Sequence, residues 1–469
     1  MIAASSTLAF FIWNNNSNQD IAVDLKLNGL DAYINYNKGT DVLTGTLLPS
    51  TDYSGGLSTE IELWKSPSAE YRTIYGHIYL DITTIGTNLV NEEALKWVIT
   101  SNGKVLNTGN FVGQTEGSYV TLDINIPLST TKQLFQIYIW LDESMEINDQ
   151  IEGETLSTKV RAEATEVIYP EVGAKYVSSL IYYDNEMINN DDPDGNIRYM
   201  GKDPDNYVLF NNELWRIIGI FDVKSSEDGP YEKRMKIVRN ESIGTYSWDN
   251  KPAGVGSSTS EYGSNDWTDS ALMEMLNSGP YWNRTTGTCP SGRNGATKKC
   301  DFSKIGLTNQ AKELISDAMW NLGGHTTVAI STKDFYYAER SDNVFENHET
   351  FWVGEIGLIY PSDYGYATSG GITQTRNGCL VKALYQWNTA GYEGCADNDY
   401  IYSGINTWLL TNQSSNTYNV FMINNKSMVY NGSVSTTYYV MPSAYLKSSV
   451  ILSGGSGIST NPYTLSINN

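Results

Sequence analysis

The four cysteines are the residues whose spacing indicates chemistry most directly. They lie in two close pairs, Cys289 with Cys300 and Cys379 with Cys395, in Gly-rich, Asn-rich or Ser-rich surroundings. Three connectivities are formally open and the sequence does not choose among them, but local disulfides are the simplest arrangement. Each such loop would stabilise the fold by about 3 kcal/mol in the chain-entropy model and would require an oxidising compartment. A zinc site is disfavoured because neither pair has C-x-x-C spacing or a nearby histidine.

The three histidines, His77, His325 and His348, do not have the spacing of a metal or triad site. His77 lies in an apparent strand, where a hydrogen-bonded structural role is favoured over a ligand role. The sequence also has no G-x-S-x-G elbow, no phosphate-binding loop and no dinucleotide fingerprint. We therefore predict that the chain is not an enzyme and has no catalytic residues.

Residues 190–195 match the first half of a calcium-binding loop, with candidate ligands Asn190, Asp192 and Asp194. The second half does not match, because Gly201 stands at the twelfth position, where a bidentate glutamate is needed. Calcium is therefore the one cofactor that the sequence suggests, and an Asx-rich turn is favoured over a calcium site.

Aromatic residues in loop-rich sequence are the remaining candidates for ligand contacts. Exposed rings stack on sugars or peptides, whereas most large rings pack in a core. Packing is the favoured role, and the candidate ligand-binding residues are Tyr360, Tyr364, Tyr366, Trp387 and Trp408.

The composition excludes several classes of partner. The chain of 469 residues carries a formal net charge of -22, which opposes binding to nucleic acid or to an anionic membrane. Its 33 tyrosines and 41 glycines, among many Ser, Thr and Asn residues, are typical of strands joined by turns. The length predicts two or three domains.

Residues 1–13 form an uncharged apolar run that is too short to span a membrane and has no basic start. We interpret it as the remnant of an export signal or as a first strand. Residues 14–166 contain short alternating segments, among them 60–64, 76–82 and 134–141, which predict a β-sandwich. In segment 119–126 the even-numbered residues should face the core and the odd-numbered ones solvent.

A linker is predicted over residues 167–184, followed by an α+β domain over residues 185–469. Buried strands are expected at 214–221 and 235–238. One helix should begin near Thr268 and end at Gly279, and a second should run over residues 309–322 because its apolar residues have helical spacing. No segment of the mature chain is predicted to span a membrane.

Residues 6–11, together with segments 95–99, 109–111 and 136–141, resemble the camelysin/TasA family of exported biofilm-fibre proteins. The resemblance covers residues 1–166 and implies a jelly-roll sandwich. It also implies a first strand that can add to a neighbouring subunit, with Phe10, Phe11 and Trp13 as apolar anchors. The peptidase activity described for camelysin is not carried over, because His77 is the only histidine in this region and no zinc motif is present.

Residues 185–469 resemble a family of extracellular domains found in gut Firmicutes. The matching segments are 195–199, 206–219, 267–277, 360–367 and 441–463, with Met441 standing where an arginine is usual. The order of these segments is similar to a C-type-lectin-like or sulfatase-modifying-factor-like α+β scaffold. A fold of that kind does not by itself give a function, since function lies on variable loops.

The sequence therefore predicts a secreted or cell-surface bacterial protein of the biofilm matrix. Its first domain would serve assembly or anchoring, and its second would bind a glycan or protein ligand. One alternative is a monomeric carbohydrate-binding adhesin. Another is a secreted glycan hydrolase or metallopeptidase, which would need two converging carboxylates in a cleft or a bound zinc.

Overall fold

The computed structural model describes residues 25–27, 30–37, 42–43, 47, 49–147, 149–183, 186–252, 263–389 and 394–467. The protein is mainly β, with 41% strand and 14% helix. The chain divides into two compact units, Met1–Tyr169 and Pro170–Asn469. The predicted anchors Phe10, Phe11 and Trp13 lie outside the described residues.

The first unit is built from two sheets in its described part, and all their strand pairs are antiparallel except the parallel pair of β4 and β10. One sheet has the strand order β1-β2-β5-β10-β7-β8, with β4 beside β10, and the other has the order β3-β11-β6-β9. The strands are β1 (Leu25–Lys26), β2 (Ala32–Asn37), β3 (Val42–Leu43), β4 (Pro49–Ser50), β5 (Leu57–Lys65), β6 (Tyr75–Ile85), β7 (Leu95–Ser101), β8 (Lys104–Asn110), β9 (Tyr119–Pro127), β10 (Gln133–Asp142) and β11 (Leu156–Thr165). Short 3-10 helices lie at Tyr53–Gly55, Pro67–Ala69, Leu89–Asn91 and Asp149–Ile151.

The two sheets pack closely enough that side-chain size is restricted between them. A methyl group added at Gly76 of β6 would lie 3.0 Å from the Cδ1 atom of Leu63 on β5. Strands predicted at 60–64, 76–82 and 134–141 are confirmed within β5, β6 and β10. Alternation of apolar and polar residues thus located these strands correctly.

The predicted alternation in β9 is only partly correct. Val120 and Leu122 are buried as expected, but Asn125 is buried too, although it was expected to face solvent. Asn125 has a left-handed φ of 59°, and the register between β6 and β9 shifts near this point. Its side chain exchanges hydrogen bonds with the backbone of Tyr169. An irregularity of this kind places an extra residue on the core side.

The second unit combines sheets with short helices. Its strands are β12 (Glu171–Val172), β13 (Ile188–Asn189), β14 (Ile197–Tyr199), β15 (Tyr207–Phe210), β16 (Glu213–Val223), β17 (Glu232–Arg239), β18 (Thr245–Ser247), β19 (Thr286–Pro290), β20 (Thr297–Asp301), β21 (Ala318–Asn321), β22 (Phe351–Gly354), β23 (Ile356–Gly357), β24 (Thr407–Asn412), β25 (Asn419–Ile423), β26 (Val429–Ser433), β27 (Thr437–Tyr439), β28 (Ser443–Tyr445), β29 (Val450–Gly454) and β30 (Thr464–Ile467). Its helices are α1 (Gly173–Ser179), α2 (Ala271–Asn277), α3 (Asn309–Leu314), α4 (Thr332–Glu339), α5 (Pro361–Tyr366) and α6 (Arg376–Leu380), with 3-10 helices at Leu180–Tyr182, Trp267–Asp269 and Leu384–Gln386.

The largest sheet of the second unit, as far as the structure describes it, has the order β13-β14-β16-β17-β28-β23, with β15 beside β16. A second has the order β18-β27-β24-β25-β26, and a third has the order β12-β29-β30. Two hairpin-like pairs, β19-β20 and β21-β22, complete the described sheets. The strands predicted at 214–221 and 235–238 are confirmed within β16 and β17.

Both predicted helices differ from the structure. The helix predicted from Thr268 corresponds to α2, which begins at Ala271 and is capped by the Ser270 side chain, while residues 267–269 form a separate 3-10 turn. The helix predicted over residues 309–322 corresponds to α3, which ends at Leu314. The residues that continue its helical pattern form β21 instead. Pairing of β21 with β22 outweighs local helical spacing there. Residues 167–184, expected to join the two domains, contain β12 and α1.

Candidate functional site

Both cysteine pairs form local disulfides. Cys289–Cys300 joins β19 to β20 with a Cα–Cα distance of 6.0 Å, and Cys379–Cys395 closes a loop of sequence separation 16. The favoured local pairing is confirmed. Since all four thiols are bonded, the cysteines cannot serve as zinc ligands.

The five predicted ligand-binding rings are buried, so the prediction that they present stacking surfaces is wrong and the packing alternative is confirmed. The residues concerned are Tyr360, Tyr364, Tyr366, Trp387 and Trp408, which are 0–2% exposed. The Tyr364 hydroxyl donates to the carbonyl of Ser427 at 2.8 Å, and the Trp387 indole donates to that of Cys379 at 3.2 Å. Ring type is visible in a sequence, whereas exposure depends on residues far along the chain.

The acidic side chains of the predicted calcium loop are bonded to protein groups. One Asp192 oxygen accepts from the backbone N–H groups of Asp194 and Asn196, and the other accepts from Arg198 Nε at 2.7 Å. Asp194 accepts from the Tyr336 hydroxyl at 2.6 Å. A guanidinium therefore occupies the position beside Asp192 that a cation would need. The described residues hold no group of three metal-ligating acids, histidines or cysteines, and the Asx-turn alternative to Asn190, Asp192 and Asp194 as ligands is supported.

A buried charge cluster occupies the centre of the second unit. We define it by six residues, of which Arg340 is partly exposed and the other five are buried, namely Asp192, Arg198, Lys236, Glu339, Arg340 and Asp363. Asp363 bridges two cations: its Oδ1 accepts from Arg198 Nη1 at 2.9 Å and its Oδ2 from Lys236 Nζ at 2.6 Å. The three side chains are 0–2% exposed. These ion pairs tie together β14, β17 and α5.

The start of α5 explains why Asp363 points into the cluster. Pro361 occupies the first turn of this helix, and Asp363 accepts from the backbone N–H of Tyr360 at 3.0 Å. Glu339, at the end of α4, accepts from the backbone N–H of Ser362 at 2.9 Å and pairs with Arg340 at 3.2 Å. Two buried acidic side chains, Asp363 and Glu339, therefore accept hydrogen bonds from backbone N–H groups at the start of α5.

Burial and pairing shift the pKa values in this cluster in different directions. Burial alone would raise the pKa of Asp363, but Lys236 and Arg198 outweigh it and hold the pKa at about 2. Burial lowers the pKa of Lys236 to about 8, although Asp363 opposes this effect. Burial raises the pKa of Glu339 to about 7. Shifted acids are common in active sites, but the enclosed Asp363 and Lys236 atoms do not face a solvent-accessible surface.

The predicted structural role of His77 is confirmed. Its Nε2 atom lies 2.8 Å from Thr165 Oγ1, its Nδ1 accepts from the backbone N–H of Asn125, and its ring stacks on Tyr169 at 4.1 Å. Burial lowers the pKa of His77 to about 3. The neutral ring is therefore part of the core of the first unit.

Two aliphatic side chains are far more exposed than the predicted rings. Val381, which is 77% exposed, lies in the loop closed by the Cys379–Cys395 disulfide, and Ile372, which is 78% exposed, precedes that loop. We call these two exposed residues the tethered-loop surface. Trp387 of the same disulfide loop is buried and packs against Tyr364, with ring centroids 5.1 Å apart.

Sequence reasoning missed Lys236, Glu339 and Asp363, which form much of the charge cluster. A signal for Lys236 was present, because it lies between Met235 and Ile237 in a segment predicted to be a buried strand. Some predicted site residues do meet here: Arg198 lies 5.1 Å from the Tyr366 ring centroid and is paired with Asp192. Trp408 of β24 lies away from the cluster and donates its indole N–H to the carbonyl of Tyr246, in β18 of the same sheet.

Comparison with known proteins adds no family. No protein-family model matches the chain, and no curated protein is significantly similar to it. Among the described residues, no helix has both the length and the apolar content that crossing a membrane requires.

Proposed function

We propose that this chain is an exported bacterial cell-surface or biofilm-matrix protein. Its first unit would serve assembly or anchoring, and its second would bind a ligand. The observation that carries the proposal is the pair of sequence-local disulfides, since such bonds persist in oxidising, extracellular environments. The mainly β architecture and the strongly acidic composition are compatible with it.

The finer folds belong to the same proposal. Two packed, mainly antiparallel sheets support a jelly roll of the camelysin/TasA type for the first unit. Mixed sheets, short helices and long connections support a C-type-lectin-like or sulfatase-modifying-factor-like scaffold for the second. A bacterial origin among Firmicutes follows from these resemblances.

Assembly would proceed by strand addition. A first strand donated to a neighbouring copy pairs through main-chain hydrogen bonds, and apolar side chains seat in pockets between the sheets. The described strand order places β8 at one end of the larger sheet, and the edge of a sheet is the geometry at which an added strand pairs.

Deleting residues 1–16 should abolish fibres or oligomers of the full chain in negative-stain electron microscopy. Replacing Phe10, Phe11 and Trp13 together by serine should have the same effect, because the apolar anchors are lost. Replacing Asn14, Asn15 and Asn16 by serine is the matched control and should leave assembly intact. A full chain that stays monomeric at every concentration would contradict assembly and favour the monomeric adhesin.

The tethered-loop surface is our candidate for ligand contact in the second unit. The proposal rests on the exposure of Ile372 and Val381, which is higher than that of the other large aliphatic side chains in the described residues, and aliphatic rather than aromatic groups favour a protein over a glycan. Burying one such side chain contributes about 1.5–3 kcal/mol. Replacing Ile372 and Val381 together by serine should therefore weaken binding by roughly tenfold or more.

The measurement is a protein and glycan array probed with the full chain, followed by affinities for each positive spot. Val353 and Ile458, which are 37% and 36% exposed, provide a matched control when both are replaced by serine. A signal confined to glycans and unchanged in the Ile372 and Val381 variant would sink this assignment.

Carbohydrate binding by a monomeric adhesin is the second candidate, favoured by one face of the first unit. Tyr53 and Tyr138 lie there with ring centroids 5.0 Å apart, and both side chains are partly exposed. Rings beside polar side chains are a common arrangement for sugars. The same array separates this candidate from the first, because it requires glycan signals that do not depend on the tethered-loop surface.

A further inference from the structure

Lys236 and Asp363 form a close amine–carboxylate contact in a sealed environment. Lys236 Nζ lies 2.6 Å from Asp363 Oδ2, and the two side chains are 0% and 1% exposed. Aromatic rings surround the amine: its nitrogen is 4.1 Å from the Tyr360 centroid, 5.1 Å from that of Trp320 and 5.3 Å from that of Tyr445. The residues are 127 positions apart in sequence.

We propose that Lys236 and Asp363 condense to an intramolecular isopeptide bond. The Nζ atom of Lys236 forms a bond to the Cγ atom of Asp363, and the bond from Cγ to Oδ2 breaks. Two protons from the ammonium nitrogen leave with Oδ2 as one molecule of water. The reaction is a condensation, so it needs no oxidant, reductant or further reactant.

Proximity is the first contribution to this reaction. Holding two groups in contact converts a bimolecular step into an intramolecular one. The surrounding rings exclude water, which removes the solvent that would hydrolyse the product. Because β17 and α5 fix both backbones, the two groups cannot separate without unfolding this part of the unit.

Neighbouring charges support the bond rearrangement. Arg198 Nη1 donates to Asp363 Oδ1 at 2.9 Å, where negative charge grows when the amine attacks Cγ. Glu339 interacts electrostatically with both partners, and its pKa of about 7 lets it carry a proton at neutral pH. The lowered pKa of Lys236 eases loss of the first proton from its ammonium group.

The charge balance of the cluster also favours the product. Before reaction Arg198 and Lys236 share the carboxylate of Asp363, while Arg198 pairs in addition with Asp192. Condensation removes one positive and one negative charge together. Arg198 keeps its pair with Asp192, so a buried ion pair disappears without leaving an unpaired charge.

The test is the intact mass of the purified full chain, kept folded at neutral pH and then denatured and reduced. We expect a mass lower by one water molecule than the sequence of the reduced chain requires. Protease digestion should yield one branched peptide that links the segments containing Lys236 and Asp363. A wild-type chain with the full sequence mass, and no branched peptide, would overturn the proposal.

A matched pair of variants assigns the bond to these residues. Lys236→Met should restore the full sequence mass, whether or not this variant folds well. Lys233→Met removes an exposed lysine of the same strand and should keep the loss of water. Loss of water that persists in Lys236→Met would overturn the assignment to Lys236.

Discussion

Replacing Asp363 by alanine should lower the free energy of unfolding of the second unit by at least about 4 kcal/mol. In the variant the buried side chains of Arg198 and Lys236 lack the Asp363 carboxyl group that both of them contact, and leaving a buried charge without its partner costs about 3–5 kcal/mol. It also removes the acceptor for the backbone N–H of Tyr360 at the start of α5. The effect should be among the largest of any single substitution in the chain.

The measurement is denaturant unfolding of the full chain, followed by peptide-level hydrogen exchange so that each unit is read separately. Peptides from β14 and β17 should lose protection, while those of the first unit should not. Asp222→Ala is the matched control, since Asp222 pairs with Lys233 and the two side chains are 52% and 64% exposed. An exposed pair contributes up to about 1 kcal/mol, so equal losses in the two variants would contradict the role of the cluster.

Acidification should destabilise the first unit through His77, by about 3 kcal/mol between pH 7 and pH 4. An unfolded histidine has a pKa of about 6.5, whereas burial lowers the pKa of folded His77 to about 3. Between these values the unfolded chain binds the proton and the folded chain does not. The contribution is therefore complete above about pH 6.5 and is lost as the pH falls toward 3.

Comparison with His77→Gln isolates this contribution, because glutamine keeps hydrogen-bonding groups but does not titrate. Unfolding free energies of both chains are measured at several pH values between 7 and 4. The wild type should lose about 3 kcal/mol more than the variant over this interval. Parallel curves would show that His77 is protonated in the folded state as easily as in the unfolded chain.

Local patterns were enough to predict several elements. Alternation located β5, β6 and β10, because one face of each strand repeats every second residue, and continuous apolar runs located the buried strands β16 and β17. The short spacing of Cys379 and Cys395 favoured the disulfide that the structure contains. The position of His77 in a predicted strand, without other histidines nearby, also favoured the hydrogen-bonded structural role that the structure contains.

Tertiary structure decided which side chains are enclosed and which partners meet. Residues 318–321 have helical spacing yet form a strand, because β22 offers them a ladder of hydrogen bonds. Tyr364 and Trp387 are of residue types that are common on binding surfaces, yet both lie in the core. Asp363 and Lys236 are far apart in sequence and meet only because α5 and β17 pack together. The periodicity of a segment predicts the type of secondary structure that the segment forms. Burial and charge pairing depend on other segments, which the local pattern does not describe.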